Sequence, residues 1–178
     1  MDLGEMGILI QADAFQRQGL SFSHSGQWDQ AVVAYTKAIE LQPQSAESHN
    51  SLAWLLATCP EARLRDPQRA LELARKATEL APNDWMYWNT LGVAQYRAGD
   101  WTAAIAGLTK SMELRNGGDS FDWFVLAMAH WQLKKKDEAH KWHNQAVEWM
   151  EKNEPEDEEL KRFRAEATEL LEINTNES

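Results

Sequence analysis

The sequence is poor in cysteine, in positive charge and in long hydrophobic runs. Its single cysteine, Cys59, leaves no partner for an internal disulfide or a thiolate zinc site and fits a reducing compartment. The net charge of −10 argues against nucleic acid and anionic lipid as partners, because both require clustered Lys and Arg. The stretch "MGILI" is too short to cross a membrane and lacks the basic flank of a signal peptide. We therefore expect a soluble, cytoplasmic protein.

Motifs for phosphate binding and nucleophilic catalysis are also missing. The chain has no Gly-x4-Gly-Lys-Ser/Thr loop, no Gly-x-Ser-x-Gly elbow and no protein-kinase signature. Cys59 has no histidine or basic neighbour in the sequence that would activate it, so a plain buried thiol is favoured over a nucleophile. We expect no enzymatic activity and no cofactor.

What the sequence does contain is a spacing that recurs. In "WNTLGVAQYRAGDWTAAI", residues 88–105, an aromatic residue, a leucine, two glycines and an alanine stand at offsets that reappear three more times. The recurrence is marked by alanines that follow one another after 39, 34 and 35 residues: Ala31, Ala70, Ala104 and Ala139. The second unit carries five extra residues between its halves. A fixed period of this kind predicts a repeat array.

Each unit is predicted to form two helices. Trp88, Leu91 and Gln95 lie one turn apart on a helix face, Gly99 interrupts the pattern, and Ala104 resumes it. Small residues in the middle of each helix allow two helix backbones to approach closely, and the turn glycine accepts a positive φ.

This pattern resembles the tetratricopeptide repeat (TPR) family over about residues 12–153. The resemblance implies an all-α fold, a right-handed α-solenoid of four helix-turn-helix units followed by a C-terminal capping helix. Parts of the array also look like arrays of large bacterial proteins, some of them linked to serine/threonine kinase domains. The expected divisions are an N-terminal extension 1–11, four repeats at 12–45, 46–84, 85–118 and 119–153, a capping helix 154–173 and a disordered tail 174–178.

Local signals predict how several helices begin and end. Pro155 is expected to start the capping helix, whose apolar stripe of Leu160, Phe163, Ala167, Leu170 and Leu171 would cover the last repeat. In the inserted loop of the second repeat, Asp66 is expected as the N-cap and Pro67 as the first helical residue. "RNGGD", at 115–119, is typical of a glycine-capped helix end.

Residues that the repeat does not require form a second face on the first helix of each unit. By the resemblance, this face lines a concave groove that holds an extended peptide or a partner helix with apolar side chains. The first unit contributes Asp13, Gln16, Leu20 and Ser23 to this face. The candidate binding residues are Asn50, Trp54, Met86, Asn89, Val93, Tyr96, Arg97, Phe121, Phe124, Met128 and Trp131.

Two interpretations of this face stay open. In the first, Asn50 and Asn89 bond a ligand backbone, the aromatics hold its apolar side chains, and Arg97 either meets an isolated acidic group or stays in solvent. In the second, neighbouring helices or the capping helix already bury most of the aromatics as core.

The three hypotheses for function come from different classes. The leading one is a non-catalytic scaffold for protein–protein interaction. The alternative is a self-association module in which the aromatic face and "GILI" close a homodimer, so that the chain is a monomer or a weak homodimer. The third is a metal-binding protein, for which the weak candidates are His130, His140 and His143. His130 and His143 take positions where the family places packing aromatics, which favours a structural role.

Overall fold

The computed structural model describes residues 2–172 and shows nine α-helices and one short 3₁₀ turn in that part of the chain. The turn is Ala62–Leu64. The helices are α1 (Leu3–His24), α2 (Trp28–Leu41), α3 (Ala46–Thr58), α4 (Pro67–Leu80), α5 (Trp85–Arg97), α6 (Trp101–Arg115), α7 (Ser120–Gln132), α8 (Lys136–Asn153) and α9 (Glu158–Leu170). These residues contain no β-strand, so the all-α prediction is confirmed.

Consecutive helices pair as hairpins: α1 with α2, α3 with α4, α5 with α6, and α7 with α8. Each later hairpin packs its first helix against both helices of the hairpin before it. The marker alanines Ala31, Ala70, Ala104 and Ala139 are fully buried. Because alanine adds so little volume, the helix backbones approach closely at these positions. The four stacked hairpins form the predicted solenoid.

Aspartates cap several helices, and one predicted start is wrong. Asp66 caps α4 and Pro67 is its first residue, as predicted. In α9, the carboxylate of Asp157 accepts a hydrogen bond from the backbone N–H of Leu160 at 2.7 Å, and Glu158 is the first helical residue. Pro155 therefore does not start this helix, because Asp157 satisfies the free amides of the first turn two residues later.

Other boundaries also differ from the sequence-based expectations. Residues 3–11, expected as a separate extension, are the first turns of α1. At the end of α6, the left-handed residue is Asn116, with φ of +57°, and not a glycine, because asparagine tolerates this conformation well. Residue 173 of the expected capping helix and the expected tail 174–178 lie outside the described residues.

The turns inside three hairpins contain a left-handed residue. Gly26 and Gly99 have φ values of +72° and +85° in the first and third hairpins. The equivalent residue of the fourth hairpin is Lys134, whose φ is +63°. A side chain in this region clashes with the following carbonyl, so Lys134 is strained where glycine is not.

Replacing Lys134 with glycine is expected to raise the free energy of unfolding by about 1 kcal/mol, because it relieves this strain. Denaturant unfolding of the two proteins measures the difference. Lys135→Gly is the comparison variant, since Lys135 is also exposed and has φ of −91°. It should gain less, because Lys135 is the N-cap of α8 and glycine brings only the modest preference of that position. An equal gain in both variants would contradict the conformational explanation.

The first helices α1, α3, α5 and α7 form a face, here called the inner face, and the last helix, α9, lies on the part of it that α3, α5 and α7 supply. It packs mainly against α7 and less against α8. Its apolar stripe is buried as predicted at Leu160, Phe163, Ala167 and Leu171, whereas Leu170 is partly exposed. Polar side chains of α9 also reach α3 and α5. The capping helix thus covers the last repeat and, in addition, much of the predicted groove.

Candidate protein-binding groove

An aromatic cluster fixes α9 to the inner face. The Phe163 ring stacks on Trp54 of α3, with centroids 6.2 Å apart, and meets Phe121 of α7 edge-on at 5.7 Å. Trp54 and Phe121 also meet edge-on at 5.9 Å. Two of the predicted groove aromatics are therefore already engaged by a side chain of the same protein, in arrangements that aromatic pairs favour.

Hydrogen bonds also attach α9 to the second and third repeats. The Trp54 Nε1–H donates to Glu159 Oε1 at 3.2 Å, and Arg162 Nη1 donates to the Thr58 carbonyl at 2.9 Å, both at the start of α9. Near its end, Arg97 of α5 forms a bidentate pair with Glu166, with Nη2 to Oε2 at 2.7 Å. Burial raises the pKa of the Glu159 carboxyl above its usual range. These bonds orient α9 along the inner face.

The structure divides the eleven predicted groove residues into three groups. The buried ones are Asn89, Val93, Tyr96, Phe124 and Met128. The partly exposed ones are Asn50, Trp54, Arg97, Phe121 and Trp131. Met86, at 46% exposure, stands at the solvent surface. In this arrangement the buried group contributes to the core.

Asn89 bonds within the protein and is not free for a ligand. Its Nδ2 donates to Asp122 Oδ1 at 2.9 Å, and the other oxygen of this fully buried carboxylate pairs with Arg115. Arg115 also binds Asp119 at 2.6 Å. Burial, opposed by the Asn89 hydrogen bond, raises the pKa of Asp122 to about 6, and the charge of Asp119 adds to the increase.

Asp122 is expected to make the stability of the protein depend on pH. Its pKa in the folded state lies above the unfolded value of 3.8, so the folded state holds this proton more tightly. Stability from this group is therefore greatest at low pH and is lost as pH rises towards about 6. Between about pH 4.5 and pH 7 we expect the contribution of Asp122 to the free energy of unfolding to fall by about 2 kcal/mol.

Denaturant unfolding of the wild type and of Asp122→Asn over this pH range measures the effect. The difference in unfolding free energy between the two proteins should change by this amount, because asparagine does not titrate. Parallel pH profiles would contradict the assignment and would mean that Arg115 keeps Asp122 ionised throughout.

The three candidate metal ligands have separate surroundings. His143 Nε2 lies 3.0 Å from Thr168 Oγ1 of α9, and its ring meets Phe124 edge-on at 5.9 Å. His140 lies edge-on to Trp131 at 5.7 Å. Burial lowers the pKa values of His130 and His143. Within residues 2–172, no group of three or more His, Cys, Asp or Glu side chains is placed to hold a metal ion.

One part of the inner face stays open. A cavity of about 470 Å³, here called the apolar cavity, lies between α1, α3 and the start of α9. Leu20, Trp54 and Leu55 supply apolar surface, and Asn50 supplies a polar group. The Asn50 Oδ1 atom is buried and has no hydrogen-bond partner among the described residues.

Several residues that shape this region were not among those predicted from the sequence. Cys59 and Pro60 of the inserted loop and Glu159 and Arg162 of α9 line the apolar cavity. The five extra residues of the second repeat were the available signal, because a repeat does not need them for stacking. Nothing local indicated Glu159 or Arg162, whose positions depend on how α9 docks more than 100 residues away from α3.

Comparison with known protein families gives three matches. The family model described as "TPR repeat" matches residues 19–57. Two further models, each described as "Tetratricopeptide repeat", match residues 61–112 and 123–153. Together these segments include helices from all four hairpins.

The chain is similar to a curated protein in sequence and to solved structures in fold. The type IV pilus assembly protein PilF of Pseudomonas aeruginosa is 37% identical over 62 residues, which are 35% of this chain and 25% of PilF. The structure of Pseudomonas aeruginosa PilF has a TM-score of 0.63 at 22% identity, covering 92% of this chain and 70% of that chain. The MamA structure has a TM-score of 0.64 at 18% identity, covering 91% and 88%. The chain thus matches about a quarter of the curated PilF sequence, and the structural likeness shows the fold alone.

Proposed function

The chain belongs to the tetratricopeptide repeat family, and on that basis we propose that it is a non-catalytic scaffold that binds a peptide or partner surface on its inner face. Repeat proteins of this architecture use the extended surface of the solenoid for binding. The expected partner is a protein or peptide with apolar side chains. The absence of a cofactor and a cytoplasmic location stay predictions. In the part of the chain that the structure describes, no helix has the length and apolar character to span a bilayer.

The observation that supports the proposal is the apolar cavity. Its volume of about 470 Å³ suits one or two bulky side chains, and Leu20 and Trp54 flank it. Leu20 is 39% exposed and supplies apolar surface at the cavity. Asn50 also lines the cavity, and its Oδ1 atom has no hydrogen-bond partner among the described residues. We place the partner here, beside α9, and not over the aromatics that α9 already covers.

Selection from a library of displayed random dodecapeptides on the full chain tests this proposal. The selected peptides should bind the wild type and lose binding to Leu20→Glu, which places a charge at the cavity. Val33→Glu is the matched control, because Val33 is exposed on α2 and does not line the cavity. Failure to enrich any peptide, or equal loss in both variants, would overturn the proposed site.

A specific observation also favours self-association as a second candidate. The N-terminal end of the solenoid exposes several large apolar side chains: Leu3, Met6, Ile8, Ile10 and Val33. Leu3 is 88% exposed and Ile10 60%, and a second copy of this end would bury both. Sedimentation equilibrium of the wild type and of Ile10→Lys tests this candidate. A dimer in the wild type and a monomer in the variant would support it; a monomer at all concentrations would exclude it.

A further inference from the structure

A second cavity beside the apolar cavity is lined by three arginines. This pocket, here called the arginine pocket, has a volume of about 210 Å³. Arg65 comes from the inserted loop of the second repeat, Arg97 from the last turn of α5 and Arg162 from α9. The chain has 28 acidic and 18 basic residues, so three arginines around one pocket depart from its overall charge.

The positive charge of this pocket is only partly neutralised. Arg97 pairs with Glu166, and Arg162 Nη2 lies 3.3 Å from Glu159 Oε1. Arg65 is exposed and forms no ion pair or side-chain hydrogen bond with any described residue. Two carboxylates thus face three guanidinium groups, and the charge of Arg65 stays without a counter-ion.

The hydrogen-bonding capacity of the pocket is also incomplete. The Arg97 Nε–H is buried and has no partner among residues 2–172. A buried guanidinium donor without an acceptor is costly unless something supplies one.

The two cavities adjoin each other. Thr58, Cys59, Pro60 and Arg162 line both of them, so the end of α3 and the inserted loop form a common wall. The cavity on one side of this wall is apolar and contains Leu20 and Trp54. The cavity on the other side is cationic and contains Arg65 and Arg97. In an extended peptide, successive side chains alternate in direction and residues advance by about 3.3 Å, so side chains two positions apart point the same way and lie about 6.6 Å from each other, suited to adjoining cavities.

We propose that the two cavities form one docking site for an extended partner peptide with an acidic side chain near a bulky apolar one. The apolar side chain enters the apolar cavity against Leu20 and Trp54. The Asp or Glu carboxylate binds at the arginine pocket, where Arg65 supplies the uncompensated charge. This inference rests on the proposed function and specifies the partner. The net charge of −10 disfavours a polyanion such as nucleic acid. A single carboxylate interacts mainly with the nearby arginines, because salt screens the more distant charges of the protein.

The same peptide selection, repeated on charge variants, tests the inference. Peptides selected on the wild type, with blocked termini, should be enriched in Asp or Glu within two positions of an aromatic or large aliphatic residue. On Arg65→Glu the apolar preference should persist and the acidic preference should disappear. Arg69→Glu is the matched control, because it makes the same charge change at an exposed residue of α4 outside both cavities.

Fluorescence polarisation with the best selected peptide gives the magnitude. Replacing its acidic residue with Gln or Asn should weaken binding to the wild type about tenfold, as expected for a charge-assisted hydrogen bond. The same replacement should have little effect on binding to Arg65→Glu, whereas Arg69→Glu should behave as the wild type does.

The outcomes separate the two proposals. Peptides that need Leu20 but show no acidic preference would overturn this inference and leave the proposed function intact. An acidic preference that survives in Arg65→Glu as it does in Arg69→Glu would also overturn it. Failure to enrich any peptide, or binding that does not depend on Leu20, would overturn both.

Discussion

Phe163→Ala is expected to destabilise the packing of α9 on the inner face by about 3–5 kcal/mol and so to release this helix. The ring is buried and contacts Trp54 and Phe121, and Arg97 lies over it at 5.7 Å from the ring centroid. Truncation would leave a cavity at the point where three helices meet. Because α9 is the last described helix, it can separate while the four hairpins stay folded.

Hydrogen exchange measured by mass spectrometry distinguishes this local release from global unfolding. Peptides from 158–170 should lose protection, whereas peptides from α5 and α6 should keep it. Arg164→Ala is the matched control, because Arg164 lies on α9 in a half-exposed pair with Glu151 that is worth no more than about 1 kcal/mol. Equal loss of protection in all helices would contradict a separable α9.

Gly92→Val is expected to lower the free energy of unfolding by about 3 kcal/mol. A Cβ atom at Gly92 would stand 2.6 Å from Leu108 Cγ and 3.0 Å from the Leu108 backbone nitrogen. Because a backbone atom limits the space, the clash cannot be relieved by a rotamer change alone. The hairpin of α5 and α6 would have to separate, and valine adds two methyl groups to the overlap.

Gly7 provides a contrast within the same protein. It also lies in a helix, but a Cβ atom there would meet nothing within 4 Å. Gly7→Ala should therefore stabilise α1 by about 0.5–1 kcal/mol through helix propensity. Thermal unfolding of both variants measures the two effects. A mild effect of valine at Gly92 would mean that α5 and α6 are less closely packed than the structure shows.

The architecture could be predicted because it depends on short-range regularities. Ala31, Ala70, Ala104 and Ala139 recur at a nearly constant spacing, and each repeat contacts mainly its neighbours, so one pattern describes every interface. The start of α4 is local in the same way, since Asp66 and Pro67 act on the adjacent turn.

The candidate site could be predicted only in part. The second face on α5 and α7 was visible in the periodicity, but periodicity does not show what covers a face. Val93, Phe124 and Met128 are buried as core, whereas Asn50 and Trp54 border an open cavity. From the sequence, the Arg97 side chain was expected either to bind an isolated acidic group or to stay in solvent. In the structure it pairs with Glu166 of α9.

The sequence by itself determined the helices, the four stacked hairpins and the amphipathic stripe of α9, because these follow from spacings of one to a few helical turns and from a repeated interface. Only the tertiary structure decided where α9 lies. Its docking depends on Phe163 meeting Trp54 and on Arg162 reaching Thr58, contacts between residues more than 100 positions apart. Such contacts depend on how the whole stack is shaped, and no local pattern specifies that shape. The same docking decides which part of the inner face stays open and which three arginines line one pocket.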